Sequence, residues 1–226
     1  MRVLALDTAL DACAAAVLDT QRPDHLTSET RTMTRGHAEA LMPLVARVMD
    51  AARLEFAEID RIAVTIGPGS FTGVRVGIAA ARGIALAAGK PAIGLTTLAA
   101  FTAPHVAAGF AGTVVPVIDA RHGQVYMQVF GPGGRALIAP RLAAVRDAVQ
   151  AARTGAALVV GSAADLVAAD WPAGEPPPRF VAAGAPDIGW VARLGAAAQA
   201  DRGMPKPLYL RPPDARPQDA ARLPRR

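Results

Sequence analysis

The chain has 226 residues, a net charge of +5, 52% apolar residues and only 4% aromatic ones. That length supports one substantial core or two small lobes, filled by Ala, Val, Leu and Ile rather than by large rings. A single cysteine, Cys13, excludes an intrachain disulfide framework and a cysteine-based zinc site, and it suits the reducing cytoplasm predicted here.

Two further function classes lose support at once. The stretch Met1 to Asp7 lacks the uninterrupted apolar run of a secretory leader. The longest apolar tract, Val74 to Ala88, is interrupted by Arg75 and Arg82 and reads as too short for a bilayer, so no membrane role is expected. Between Arg211 and Arg226, five Arg and two Asp contribute +3 of the net charge, which leaves the body of the chain close to neutral. With Pro212, Pro213, Pro217 and Pro224 this tail is expected to stay extended or disordered, either as a solvated end or as a contact with RNA.

In chain order, Val3–Asp7 and Cys13–Leu18 read as buried strands, joined by the turn-prone Thr8 to Asp11, and His25–Thr30 as a third. A helix follows from His37 to Leu54, with Leu41, Leu44, Val45, Val48, Met49 and Ala52 at helical spacing and Pro43 near its start. Ile62–Ile66 is a short strand, Gly67 to Gly73 a glycine-rich turn, and a second helix runs to Ala88 and stops at Gly89. Ala92–Leu95 is strand-like and Thr97–Phe101 opens a short helix. Val114–Asp119 and Gln124–Phe130 form a hairpin, and an edge strand follows Gly131 to Gly134. A helix at Leu142–Ala152, a strand at Leu158–Val160, a loop at Gly174–Pro178 and a helix at Ile188–Ala200 complete the order. Such alternation defines an α/β lobe with a mixed sheet, then a weaker second lobe of the same kind.

The turn Gly67-Pro68-Gly69-Ser70-Phe71-Thr72-Gly73 sits between strand and helix, where backbone amides can hold an anion. It is neither a Walker A loop, since no GKS or GKT follows, nor GxGxxG. The alternative is a tight turn in which Ser70 or Thr72 caps the helix. Behind it, Gly73, Gly77, Ala81 and Ala85 recur every four residues and leave one helical face nearly bare. A glycine inside a helix costs about 1 kcal/mol relative to Ala, so Gly77 and Gly83 require a close neighbour. That neighbour is either the protein's own sheet or a helix of another chain, and the wide apolar face of the preceding helix favours an exposed seam.

The run from Ala63 to Gly77, continued by Ala81-Arg82-Gly83-Ile84-Ala85, resembles the bacterial TsaB family, also called YeaZ. Leu4 to Thr8, His37 to Pro43, Val117 to Tyr126 and Pro207-Leu208-Tyr209-Leu210-Arg211 fit the same family in order. The resemblance implies an α/β fold of the actin-like ATPase class (the sugar kinase and heat-shock ATPase superfamily) with two related lobes, the second reduced. The lobes would span 1–103, with the dimerisation helices, and 104–210, before the tail 211–226. It also implies a role in forming N6-threonylcarbamoyladenosine beside the anticodon of tRNA. The implied partners are a TsaD-type paralogous transferase, a TsaE-type ATPase and, when alone, a second copy; tRNA would be met only indirectly.

By the same resemblance the first two helices form the partner interface, through His37, Leu41, Leu44, Val45, Val48, Gly73, Val74, Gly77, Ile78 and Ala81. TsaD-like enzymes carry a His-x-x-x-His pair after the glycine motif, two side chains on one helical face able to hold a metal. Here Thr97 and Phe101 stand in those places, and His25, His37, His105 and His122 share no such spacing, so neither a metal site nor a catalytic residue is expected. Asp7, Thr8 and Asp119 are the candidates for nucleotide contact, each equally readable as a strand end or turn cap. Ala183-Gly184-Ala185 is a poor match to an adenosine-binding segment. No cofactor is expected to be required, with weak ADP or ATP binding at the subunit interface. The alternatives are an independent actin-fold small-molecule kinase or ATPase, and a direct RNA-binding module.

Overall fold

The computed structural model describes residues 1–22, 25–199 and 203–211. The first sheet begins with β1 (Arg2–Asp7) and β2 (Ala12–Asp19), whose Ala, Val and Leu side chains are buried on both faces, as central strands require. β3 (Leu26–Thr32) is polar and half exposed, and it closes one edge. The edge opposite is reached through α1 (His37–Ala52), β4 (Arg61–Thr65), α2 (Phe71–Ala88) and β5 (Ala92–Leu95). The sheet order is β3-β2-β1-β4-β5: β2 runs antiparallel to both β1 and β3, and β4 and β5 run parallel to β1.

After α3 (Thr97–Ala107) the pattern repeats with β6 (Thr113–Asp119), β7 (Gln124–Phe130), β8 (Ala136–Ala144), α4 (Val145–Ala152), β9 (Ala157–Gly161), α5 (Ala164–Ala169) and β10 (Arg179–Ala182), and α6 (Ile188–Ala197) ends it. The second sheet, β8-β7-β6-β9-β10, has the same order and the same sense of pairing as the first. The two lobes are therefore one topology used twice. The second use is reduced, with α4 and α5 of 8 and 6 residues where α1 and α2 have 16 and 18.

The third helix of each lobe crosses to the other. Leu98 and Phe101 of α3 pack with Val114, Ile118 and Phe130 of the second sheet. Ile188, Val191 and Ala192 of α6 pack with Val3, Ala5 and Ala63 of the first. Arg61 fixes that return, donating from one guanidinium nitrogen to the Gly195 and Ala198 carbonyls at 3.0 and 2.7 Å at the end of α6. A cut between residues 103 and 104 thus passes through α3, and residues 188–197 pack on the first lobe rather than the second. Sequence order places α6 late, but its apolar side packs on the sheet formed early in the chain.

Other boundaries shift for local reasons. α1 runs through Pro43 without a break and ends at Arg53, which takes up a left-handed conformation (φ 55°), short of Leu54. Leu142–Ala144 belong to β8, not to the following helix, and α5 and β10 were not expected. α6 ends at Ala197, short of Ala200, which lies outside the described residues. The tail 212–226 lies outside the described residues as well. α2, begun at Phe71, is longer than the tract Val74 to Ala88 and by length and composition meets the minimum for a membrane span; its inner face is core of the first lobe.

Candidate functional site

The glycine turn is built to let two backbones meet. A side chain on Gly69 would stand 2.3 Å from the Ala9 carbonyl, and one on Gly73 only 2.1 Å from that of Thr8. At Gly77 it would meet the Thr8 hydroxyl at 2.6 Å and a Val64 methyl at 3.4 Å. Thr8 Oγ1 donates to the Gly73 carbonyl at 2.7 Å, the Ser70 amide donates to the Ala9 carbonyl at 2.7 Å, and Ser70 Oγ caps the helix by accepting from the Gly73 amide. The bare stripe of α2 therefore lies on the end of β1 in its own lobe.

The same holds for the side chains expected at a partner interface. Leu41, Leu44, Val45, Val48, Val74, Ile78 and Ala81 are all buried in the first lobe's core. His37 is half buried, its Nε2 at 3.0 Å from the Leu10 carbonyl. Helical spacing located the apolar stripes correctly but not what covers them: each faces the protein's own sheet.

What these two helices present outward is a second set of apolar residues. On α2 these are Ala79, Gly83, Leu86 and Ala87, flanked by half-buried Val76 and Ala80, which also pack on the core; on α1 they are Met42, Pro43 and Ala46. Leu86 is 80% exposed and Met42 46%. Gly83 differs from Gly77 in one decisive respect: a Cβ placed there would have nothing within 4 Å. Among the described residues no contact accounts for that glycine. The two helices touch, and each carries exposed apolar residues on its outer side. Sequence reading singles out Gly83 as needing a close neighbour and favours an exposed seam, but places that seam on the Gly73, Gly77 and Ala81 stripe and does not name Leu86.

A cleft of ≈ 560 Å³ lies between the lobes, lined by the glycine turn, Leu10, Asp119 to His122, Tyr126 and the closing segment Leu208 to Arg211. Of the three candidates for nucleotide contact, only Asp119 lines it. Its carboxylate accepts from the Arg121 amide at 2.7 Å and lies 3.2 Å from the Arg121 guanidinium, so it caps the hairpin turn. Thr8 is committed to α2. Asp7 is sealed behind the turn with no exposed surface, its Oδ1 accepting from Thr65 Oγ1 at 2.5 Å and from the Ala9 amide at 3.0 Å. Oδ2 is buried without a partner among the described residues. Burial pushes the Asp7 carboxyl above its ordinary range, and the Thr65 and Ala9 hydrogen bonds oppose that only in part. A carboxyl held toward its neutral form, out of reach of the cleft, is poorly suited to orient a phosphate-bound cation.

Thr97 and Phe101 sit on the inner side of α3, where Phe101 is core. Among the described residues no three His, Cys, Asp or Glu side chains come together as a metal site. Ala183 and Gly184 form the turn between β10 and α6, with the Ala183 amide at 3.3 Å from the Gly161 carbonyl.

One cluster was not foreseen. The closing segment 203–211 docks along α2: the Leu208 amide donates to the Ile66 carbonyl at 2.8 Å and Pro205 is buried. Arg75 lies 3.8 Å over the Phe71 ring and donates to Tyr209 Oη at 2.8 Å, and Arg82 donates to the Pro205 carbonyl at 2.9 Å. Arg211 reaches the Ala120 carbonyl of the second lobe at 3.1 Å.

Two mixed sheets of identical order, crossed third helices and an interlobe cleft define a two-lobed protein of the actin-like ATPase fold. Comparison with known proteins narrows this class. The family model for tRNA N6-adenosine threonylcarbamoyltransferase (TsaD) matches residues 28–164. The Escherichia coli tRNA threonylcarbamoyladenosine biosynthesis protein TsaB is 36% identical over 126 residues, 56% of this chain and 53% of its own, so the match spans about half of that relative. An uncharacterized Mycobacterium tuberculosis protein is 34% identical over 221 residues, 95% of this chain and 94% of its own. The structure of YeaZ from Pseudomonas aeruginosa superposes with a TM-score of 0.76 at 26% identity, covering 92% of this chain and 99% of that one. The chain belongs to this family, and within it to the TsaB (YeaZ) branch.

Proposed function

We propose that the chain is a non-catalytic pairing subunit in the formation of N6-threonylcarbamoyladenosine on tRNA, joined to a TsaD-type paralogous transferase through the outer faces of α1 and α2. The observation that carries this reading is the strip around Gly83 and Leu86, open to a neighbour and unexplained by any contact among the described residues. A glycine there costs about 1 kcal/mol of helix stability, and close approach of a partner backbone is what such a cost allows. The buried stripe through Gly73, Gly77 and Ala81 has no part in it.

Left alone, two copies pair through the same strip, as an isologous interface permits. The subunit needs no cofactor of its own, acts in the cytoplasm, and meets a TsaE-type ATPase and tRNA only within the assembly. Weak ADP or ATP contact belongs to the subunit interface rather than to the chain's own cleft. The stand-alone kinase or ATPase reading leans on Asp7, which is sealed behind the turn; of the acids that do line the cleft, Asp11 and Asp119, the latter is engaged in capping the hairpin turn.

The test is to purify the chain with and without TsaD-type and TsaE-type proteins and assay tRNA modification. The expected result is an absolute requirement for the chain with no turnover by it alone, and loss of that requirement's effect in Leu86→Glu. Turnover by the isolated chain, or full support by Leu86→Glu, would overturn the proposal.

A further inference from the structure

α2 carries two charges, Arg75 and Arg82, and both stand at the margin of the outward apolar strip. Arg75 is one turn from Ala79, and Arg82 is one turn from Leu86, so either guanidinium could lie across the strip if released. Neither does. The segment 203–211 draws both to one flank: Tyr209 takes the Arg75 Nε proton while Phe71 carries the guanidinium face, and the Pro205 carbonyl takes Arg82 through Nε and a second nitrogen. The segment is anchored independently of these contacts, by the Leu208 amide on the Ile66 carbonyl and by buried Pro205 beside Gly94. At its far end Arg211 holds the second lobe.

We infer that this segment is a strap that sets the polarity of the docking strip: with the strap seated, α2 offers an apolar face for pairing, and with it released the two arginines cover that face and weaken pairing. This rests on the pairing role proposed above and adds a control to it. Because the strap also grips the second lobe, any ligand that moves the lobes apart acts on the strip through it.

The experiment uses the full chain and the TsaD-type paralogue of the same genome, with affinity measured by sedimentation or calorimetry. Tyr209→Ser removes ring and phenol from an exposed side chain and leaves the strap backbone in place. Weakening by about tenfold is expected, the scale of one charge brought onto an apolar contact. Arg75→Ala should pair at least as well as the unmodified chain, and adding Tyr209→Ser to it should then change nothing. A chain ending at residue 202 should lose pairing, and Arg75→Ala with Arg82→Ala should restore it. Nuclear magnetic resonance of the arginine Nε protons reports release directly, whatever the truncated chain does. The inference is overturned if Tyr209→Ser frees Arg75 without loss of affinity. It is equally overturned if Tyr209→Ser weakens the Arg75→Ala chain as much as the unmodified one, since the strap would then touch the partner itself. Disruption by Leu86→Glu but not by Tyr209→Ser sinks this inference alone; no pairing by the unmodified chain sinks the pairing role with it.

Discussion

Gly77 and Gly83 lie six residues apart in one helix and should respond oppositely to the same substitution. Alanine in place of glycine gains about 1 kcal/mol in a helix interior. At Gly83 nothing opposes that gain, because the new methyl has no neighbour within 4 Å. At Gly77 the methyl would lie 2.6 Å from Thr8 Oγ1 and 3.4 Å from Val64. Thr8 cannot yield without loosening its 2.7 Å bond to the Gly73 carbonyl, a buried bond worth about 1 kcal/mol, and overpacking of a tight core adds about 1–3 kcal/mol. The balance is a loss of about 1–3 kcal/mol for Gly77→Ala and a gain of about 1 kcal/mol for Gly83→Ala. Urea unfolding followed by circular dichroism should show midpoints displaced in opposite directions, up by roughly half a molar for Gly83→Ala and down by roughly half a molar or more for Gly77→Ala. Equal stability of Gly77→Ala and the unmodified chain would refute the assignment of the bare stripe to the protein's own lobe. A pairing defect in Gly77→Ala without loss of stability would do the same.

Three other outcomes follow from buried groups. The raised carboxyl of Asp7 means the folded chain holds a proton that the unfolded chain gives up; its stabilising contribution is complete below the ordinary carboxylate value and is lost as pH rises toward the folded value. Asp7→Asn keeps the acceptor for Thr65 and Ala9, so it should stabilise the fold at neutral pH and flatten that decline, as measured by melting temperature across pH 3 to 8. Removing the guanidinium in Arg61→Met strips the carbonyls at the end of α6 of their donor and should cost about 2–3 kcal/mol, read from thermal melts. Burial pushes the Cys13 thiol up to about 11, with the Asp7 charge adding to the effect, so an aromatic disulfide reagent at pH 8 should react with it only as fast as the chain unfolds.

The order of elements was legible because its punctuation is local. Gly89 in a left-handed turn ends α2, Ser70 caps its start, and alternation of buried runs with helical spacing gives the rest. α5 and β10 left no such mark, being a six-residue helix and a half-buried four-residue strand behind a proline run. The crossing of α3 and α6 was not legible either, since α3 is apolar on nearly every side and shows no preferred face. Around the candidate site, spacing found the small-residue stripe of α2 but assigned it the wrong neighbour. Periodicity states which side of a helix is apolar. It does not state whether a sheet or another molecule lies against it, and here the sheet took the barer side. The strap was visible only as a closing motif, because its contacts with Arg75 and Arg82 join residues more than 120 positions apart.

The repeated topology supplies a comparison internal to the molecule. Both sheets have five strands in one order, so each needs a similar helical cover. The second lobe meets that need with helices of 8 and 6 residues, whereas the first uses 16 and 18. Length beyond what a sheet requires must be stabilised by something else, since exposed apolar turns gain nothing from water. The last turns of α2 bury Ala81, Ile84 and Ala85 in the first lobe and at the same time carry Gly83, Leu86 and Ala87 outward. If they existed only to complete the fold, shortening them should cost stability and leave assembly intact; if a second molecule covers them, Leu86→Glu should leave the melting temperature of the isolated chain unchanged and abolish pairing. The excess of helix on one lobe alone is what the second outcome explains.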